Sequence, residues 1–190
     1  MAQELIFIRH APIAEVGRLC GRTDLPARID SAAIAAVRAT LPREVASFSS
    51  PALRCQQTAQ ALFPDLADLN IDSRLWEQNF GDHDGLAFDD VPDFGILSRE
   101  DLAAYCPPGG ESFADLCSRV WPALVDIARD TPVASTIIVA HAGVIRAALA
   151  WQLGASSLGV GFEIAPLSVT RLRVGSEGPI SIISVNERPV

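Results

Sequence analysis

Apolar positions along this chain follow two rhythms. Short unbroken runs at 5–8 (Leu-Ile-Phe-Ile) and 136–140 (Thr-Ile-Ile-Val-Ala) are the pattern of strands buried on both faces, and 45–49 reads as another strand. Elsewhere the period lengthens. Phe113, Leu116, Val120, Leu124 and Ile127 recur at steps of three and four, so 112–128 predicts a helix with one apolar face. Ser112, with Asp115 three residues on, is a variant of the capping box. Pro122 is expected to kink or split that helix. The alanine-rich stretch 31–40 and the apolar stretch 143–153 read as further helices. Ser50-Pro51 reads as a helix start, with serine as N-cap and proline at the first helical position. Near the end, 168–174 and 180–185 read as a hairpin about 175–178. Gly81, Gly85, Pro92 and Gly95 interrupt 69–105, and about 69–110 is expected to be an irregular insertion beside a cleft. Strands alternating with helices predict a layered α/β domain. At 190 residues the chain fits one domain, 1–190, in which folding buries roughly 70% of the unfolded surface.

Composition narrows the function classes. Hydrophobic residues make up 49% and charged residues 20%, an ordinary globular balance. A net charge of −8 argues against a broad nucleic-acid surface, which needs a basic face. A small anionic partner stays compatible if a few arginines focus positive potential inside one cleft. The run at 5–8 is too short to span a membrane and follows an acidic residue, so no membrane segment or leader is expected and the chain reads as cytoplasmic. Cys20, Cys55, Cys106 and Cys117 form no C-x-x-C pair. They are expected as reduced thiols in core or partly buried positions, with no metal site. Oligomeric state is not legible.

The chemistry-bearing residues collect at predicted strand ends. His10 follows the first strand and Arg9; His141 follows the strand 136–140 and precedes a helix; Arg54 sits in the first turn after 45–49. Ligand sites in open α/β sheets lie beyond the carboxyl ends of strands. The helix after His141 also offers its N-terminal N–H groups to an anion. Singly, each histidine reads as a hydrogen-bonded structural residue and each arginine as an ion-paired or solvated one. Together they make a compact cationic pocket. Spacing alone leaves both readings open.

Four motifs in order add to this: Arg9-His10-Ala11, then Ser49-Ser50-Pro51-Ala52-Leu53-Arg54-Cys55-Gln56-Gln57-Thr58-Ala59, then Glu77 before Phe80-Gly81-Asp82, then Ala140-His141-Ala142-Gly143-Val144. In these the chain resembles the histidine phosphatase superfamily, in the branch of cofactor-dependent phosphoglycerate mutase and its phosphatase relatives. The resemblance implies a phosphoglycerate mutase-like α/β/α sandwich in three layers, with a mainly parallel central sheet and a terminal hairpin. It implies His10 as a nucleophile forming a phosphohistidine, its other ring nitrogen donating to a backbone carbonyl. Arg9, Arg54 and His141 would hold the phosphoryl oxygens, with no metal or other cofactor. Glu77 matches the family's acid; it acts so only if its pKa is raised from the ordinary 4.3 or so, which neighbouring Trp76 and Phe80 and the substrate's charge favour. Glu111 and Asp24 are its rivals.

The chain also departs from the family pattern. The family usually has R-H-G-E/Q-T; here Ala11-Pro12-Ile13 follows His10, and Ala14-Glu15-Val16-Gly17 lacks the usual polar residue. His83 stands where relatives often carry tryptophan and reads as structural or rim-lining. Gly21-Arg22-Thr23-Asp24-Leu25-Pro26 follows the family's G-x-x-D-x-P loop, which makes Arg22 and Thr23 candidates for substrate contact, a surface salt bridge being the other reading of Arg22. The expected partner is a small phosphorylated metabolite. Length and the stretches 75–85 and 109–113 most resemble α-ribazole phosphatases of cobalamin synthesis. Other phosphatase substrates, a mutase, and a catalytically weak phosphometabolite-binding module are the alternatives.

Overall fold

The structure is a computed structural model describing residues 2–15, 17–43, 45–65, 69–131, 133–176 and 178–189. Val16, Glu177 within the expected turn 175–178 and both ends of the 1–190 span lie outside the described residues.

Six strands form one mixed sheet: β1 (Gln3–Arg9), β2 (Ala46–Ser49), β3 (Asn70–Ile71), β4 (Ser135–Ala140), β5 (Val169–Gly175) and β6 (Gly178–Glu187). Their order is β3-β2-β4-β1-β5-β6. The first four run parallel, and β5 and β6 add an antiparallel hairpin to the free side of β1. The helices are α1 (Ser31–Ala39), α2 (Leu53–Leu62), α3 (Arg99–Ala104), α4 (Phe113–Asp130), α5 (Ala142–Leu153) and the short α6 (Ser156–Gly159). Alternation along β1 and β4 divides the core in two. Leu5, Phe7, Ile138 and Ala140 pack with α4 and α5, while Ile6, Ile8, Ile137 and Val139 pack with α1 and α2. The result is the α/β/α sandwich expected.

Four local expectations need correction. Helix α2 starts at Leu53, with Ala52 as a cap lacking a side-chain bond, so Ser50-Pro51 is not its N-cap and first residue; Ser50 instead turns toward His141. Of the two outcomes expected at Pro122, a split does not occur, since α4 is one 18-residue element. An interior proline costs about 3 kcal/mol, but Leu116, Val120 and Leu124 are fully buried, each side chain contributing about 1.5–3 kcal/mol. The Ser112–Asp115 capping box is complete, adding about 1 kcal/mol. The stretch 69–105 is less irregular than expected, since it carries β3, α3 and short 3-10 turns at Ser73–Leu75, Gly81–His83 and Phe88–Asp90. Cys106 is exposed, whereas Cys55 and Cys117 are buried and Cys20 half-buried. Among the described residues no helix is long and apolar enough to cross a membrane.

Candidate active site

Register places the two histidines. β1 and β4 pair in parallel from Glu4 with Ser135 to Arg9 with Ala140, so both strands end level. The His10 amide continues the ladder, donating to the Ala140 carbonyl at 2.9 Å. The Ser50 amide does the same to Val139 at 3.1 Å from the end of β2. His10 and His141 therefore meet edge to face, ring centroids 5.2 Å apart at 66°.

His10 is 6% exposed. Its Nδ1 donates to the Ala11 carbonyl at 2.7 Å; a carbonyl only accepts, so in the neutral ring Nε2 is left as the lone-pair nitrogen. Burial, then positive Arg54 and Arg9, push the imidazole pKa down to about 3, against the pull of the Ala11 carbonyl. His141 is fully buried, and its pKa is held well below the ordinary value by burial first, then by His10, Arg54 and Arg9. The ring lies behind His10, stacked at 5° on Trp76, with Nε2 2.8 Å from Ser50 Oγ and 3.5 Å from Cys55 Sγ.

Both shifts make a pH prediction. Each folded pKa lies below the unfolded value, so from about pH 6.5 downward, for His10 as far as about pH 3, the unfolded chain binds protons that the folded one does not. Stability is then complete above pH 6.5 and falls as the pH drops, by about 1.4 kcal/mol per pH unit per histidine. Urea unfolding followed from pH 7 to 4.5 should show this slope, and His10→Ala should flatten it by about one histidine's share; an unchanged slope refutes the assignment.

The arginines surround this pair. Arg54 is fully buried, yet borders the cleft. Its Nη1 donates to Thr23 O at 3.0 Å and its Nη2 to Gly21 O at 2.8 Å. Arg9 Nη1 donates to Ile164 O at 2.5 Å. The Nε of both guanidiniums is buried without a partner, so two cationic N–H donors beside His10 lack an acceptor. Burial lowers the Arg9 pKa, an effect that nearby Glu77 opposes.

Glu77, 8% exposed, also lines the cleft. Its Oε1 accepts from the Gln78 amide at 3.0 Å, and its Oε2 from the Gly143 amide at 3.2 Å. The N-terminus of α5 therefore receives the chain's own carboxylate, where sequence reasoning had assigned it to a bound anion. A Cβ on Gly143 would collide with Glu77 Oε1, so only glycine lets the two approach. The rival carboxylates have partners of their own and are not among the residues lining the cleft. Glu111 is paired with Arg119 Nη2 at 2.6 Å and accepts from the Asn79 amide. Asp24 accepts from the Leu53 amide at the start of α2 and stands 3.9 Å from Arg54 Nη1.

Arg9, His10, Arg54 and Glu77 thus come together at one cleft of about 670 Å³, within the usual range for small-molecule sites. His141, expected to hold phosphoryl oxygens, is fully buried and not among the residues lining the cleft. Arg22 and Thr23 are not among its lining residues: Arg22 lies 5.3 Å over Trp76, and the Thr23 hydroxyl donates to Asp84 at 2.6 Å. His83 lines the cleft, stacked near Phe94 and Tyr105. Sequence reasoning passed over Arg146, another lining residue; its place three residues after Gly143 and four after Ala142, on one helix face, was the available signal. Arg18, also lining, had none. Among the described residues no group of three or more His, Cys, Asp and Glu side chains is arranged to hold a metal ion.

The model of the histidine phosphatase superfamily (branch 1) matches residues 5–187. The chain belongs to that superfamily. Among the relatives of this superfamily member, the 6-phosphofructo-2-kinase/fructose-2,6-bisphosphatase of Caenorhabditis elegans is 32% identical over 106 residues, 54% of this chain and 22% of the relative. The glucosyl-3-phosphoglycerate phosphatase of Mycobacterium tuberculosis is 33% identical over 91 residues, 42% of this chain and 40% of the relative. The match thus spans less than half the length of these curated relatives. The solved native structure of a mycobacterial glucosyl-3-phosphoglycerate phosphatase superposes with a TM-score of 0.83 at 26% identity, covering 98% of this chain and 99% of that one. A solved putative α-ribazole-5′-P phosphatase from Escherichia coli gives a TM-score of 0.85 at 19% identity, covering 100% and 98%, a likeness of fold alone.

Proposed function

We propose that the chain is a phosphomonoesterase that needs no metal ion and works through a phosphohistidine on His10. The observation that carries this reading is the His10 ring, neutral and fixed through Nδ1 on Ala11 O, at a cleft bordered by Arg9, Arg54 and Glu77. His10 Nε2 attacks phosphorus as the P–O ester bond breaks, and Glu77 passes a proton to the leaving oxygen. Arg9 and Arg54 take up charge on the phosphoryl oxygens, and His141 supports them from behind the nucleophile. Water then attacks the phosphohistidine while Glu77 removes its proton, releasing phosphate and free His10. Labelled substrate quenched in alkali should leave an acid-labile phosphoryl group on the wild type and none on His10→Ala. An adduct on His10→Ala, or activity abolished by a chelator and restored by a metal ion, would overturn the mechanism.

Asp84 supports this machinery from a distance. Its carboxylate accepts from the Gly21, Arg22 and Thr23 amides, at 3.2, 2.6 and 3.1 Å. Carbonyls of that same loop hold the Arg54 guanidinium. Asp84→Ala is expected to cut kcat/KM about 10- to 100-fold by displacing Arg54. Wild-type turnover with wild-type inhibition by inorganic phosphate would show that the loop holds its place without Asp84.

The substrate is read as a small phosphorylated metabolite of the cytoplasm, a compartment in keeping with four unpaired cysteines. The finer reading is α-ribazole 5′-phosphate, supported by the resemblance of 75–85 and 109–113 and by the fold of the Escherichia coli neighbour. Glucosyl-3-phosphoglycerate is the second reading, supported by the mycobacterial relative. Phosphate release from both, beside a simple aryl phosphate, decides between them; α-ribazole 5′-phosphate cleaved no faster than the aryl ester would end the first.

A further inference from the structure

We propose that the outer cleft is a binding site for a flat, uncharged ring carried by the leaving group, with Phe94 and Tyr105 as specificity-determining residues and His83 stacked beside them. This deepens the phosphatase reading and rests on it. Phe94 and Tyr105 lie with ring centroids 4.4 Å apart at 45°, and His83 stands 6.2 and 6.5 Å from them, tilted by only 28° and 18°. All three line the same cleft as the His10 ring. Phe94 is 42% exposed and neighbouring Phe88, also lining, 60%, so an apolar occupant would remove aromatic surface from water. Pro12, Ile13 and Leu19 line the same cleft. The departure from the family pattern at Ala11-Pro12-Ile13 therefore contributes apolar surface where a polar residue would otherwise stand.

Charge supports the same class of occupant. Besides Arg9 and Arg54, the arginines lining the cleft are Arg18 and Arg146. Arg18 donates to Gly85 O at 2.9 Å and faces Glu15 at 3.4 Å. Arg146 donates to Phe162 O at 2.7 Å. Arg146 is close enough for its charge to act on Arg9 at the phosphate end, and Arg18 is paired with the Glu15 carboxylate, so the aromatic part of the cleft favours an uncharged group over a second anion.

The test compares primary alkyl phosphates of similar leaving-group basicity, so that ring binding is separated from chemical reactivity. For 2-(1-naphthyl)ethyl phosphate, kcat/KM is expected to exceed that of glycerol 1-phosphate and 3-phosphoglycerate by about 10-fold or more. Phe94→Ala and Tyr105→Ala should each erase most of that advantage through KM, with a several-fold smaller loss on glycerol 1-phosphate. Phe94→Leu, which keeps apolar bulk without a ring, guards against a loss of folding. Calorimetry with 2-(1-naphthyl)ethylphosphonate on His10→Ala protein reads the ring site without turnover, and should show tighter binding than inorganic phosphate. Equal turnover of the ring-bearing and polar esters, equal losses on both in the variants, or a phosphonate bound no better than phosphate would overturn the proposal while leaving the phosphohistidine intact. Absence of the phosphoryl adduct with ring-dependent phosphonate binding retained would instead sink the mechanism alone.

Discussion

His10→Ala is expected to lower phosphate release by at least about 10⁴-fold while the protein stays folded. The side chain supplies the attacking nitrogen, and the paired histidine is not placed to replace it: His141 is fully buried, outside the cleft lining, with its Nε2 2.8 Å from Ser50 Oγ. Structural losses are small by comparison. One hydrogen bond disappears, that of Nδ1 to the Ala11 carbonyl, which costs about 1–3 kcal/mol if the carbonyl stays dry. The strand ladder through the His10 amide is untouched, because it uses backbone alone. Arg9 and Arg54 remain, so the variant should still bind inorganic phosphate. Activity surviving within about 100-fold of wild type would place the nucleophile elsewhere.

Gly143→Ala should behave unlike a usual glycine-to-alanine change in a helix. In an open helix interior alanine gains about 1 kcal/mol over glycine. Here the added Cβ would collide with Glu77 Oε1 and lie 2.9 Å from Leu116 Cδ2. Overpacking of that kind costs about 1–3 kcal/mol, so the sign of the stability change reverses. Displacing Glu77 also breaks its bond from the Gly143 amide and moves the proton carrier, for a further loss of about 10²- to 10³-fold in kcat. Glu77→Gln separates the two effects, since it keeps the shape and removes the acid. Chemical denaturation and steady-state kinetics on both variants check this. A Gly143→Ala protein as stable and active as wild type would mean that Glu77 is not held where the geometry puts it.

The sheet was readable because its signals are local. Residues 5–8 and 136–140 are unbroken apolar runs, and the Phe113 to Ile127 repeat defines α4 by its own period. What escaped depends on tertiary contacts. β3 is two residues that become a strand only by pairing with Phe48 and Ser49. The start of α2 slipped because Ser50, a good capping residue by type, is drawn instead to His141. Pro122 left a kink and a break both open by residue type, and the packing on either side of it keeps α4 one element. In the site, motif order picked out Arg9, His10, Arg54 and Glu77, which the fold brings to one cleft. Arg22 and Thr23 were drawn from a loop whose position depends on Asp84, and that dependence appears only in three dimensions.

The two anchors of the His10 residue, the Ala140 and Ala11 carbonyls, both belong to the main chain. No single change of side chain at positions 11 or 140 deletes either acceptor, since every amino acid carries the same carbonyl. The reacting nitrogen is thereby buffered against sequence drift at the positions that hold it. Those bordering the ring-lined mouth have no such protection, and a lineage of this chain can change what it cleaves without rebuilding how it cleaves.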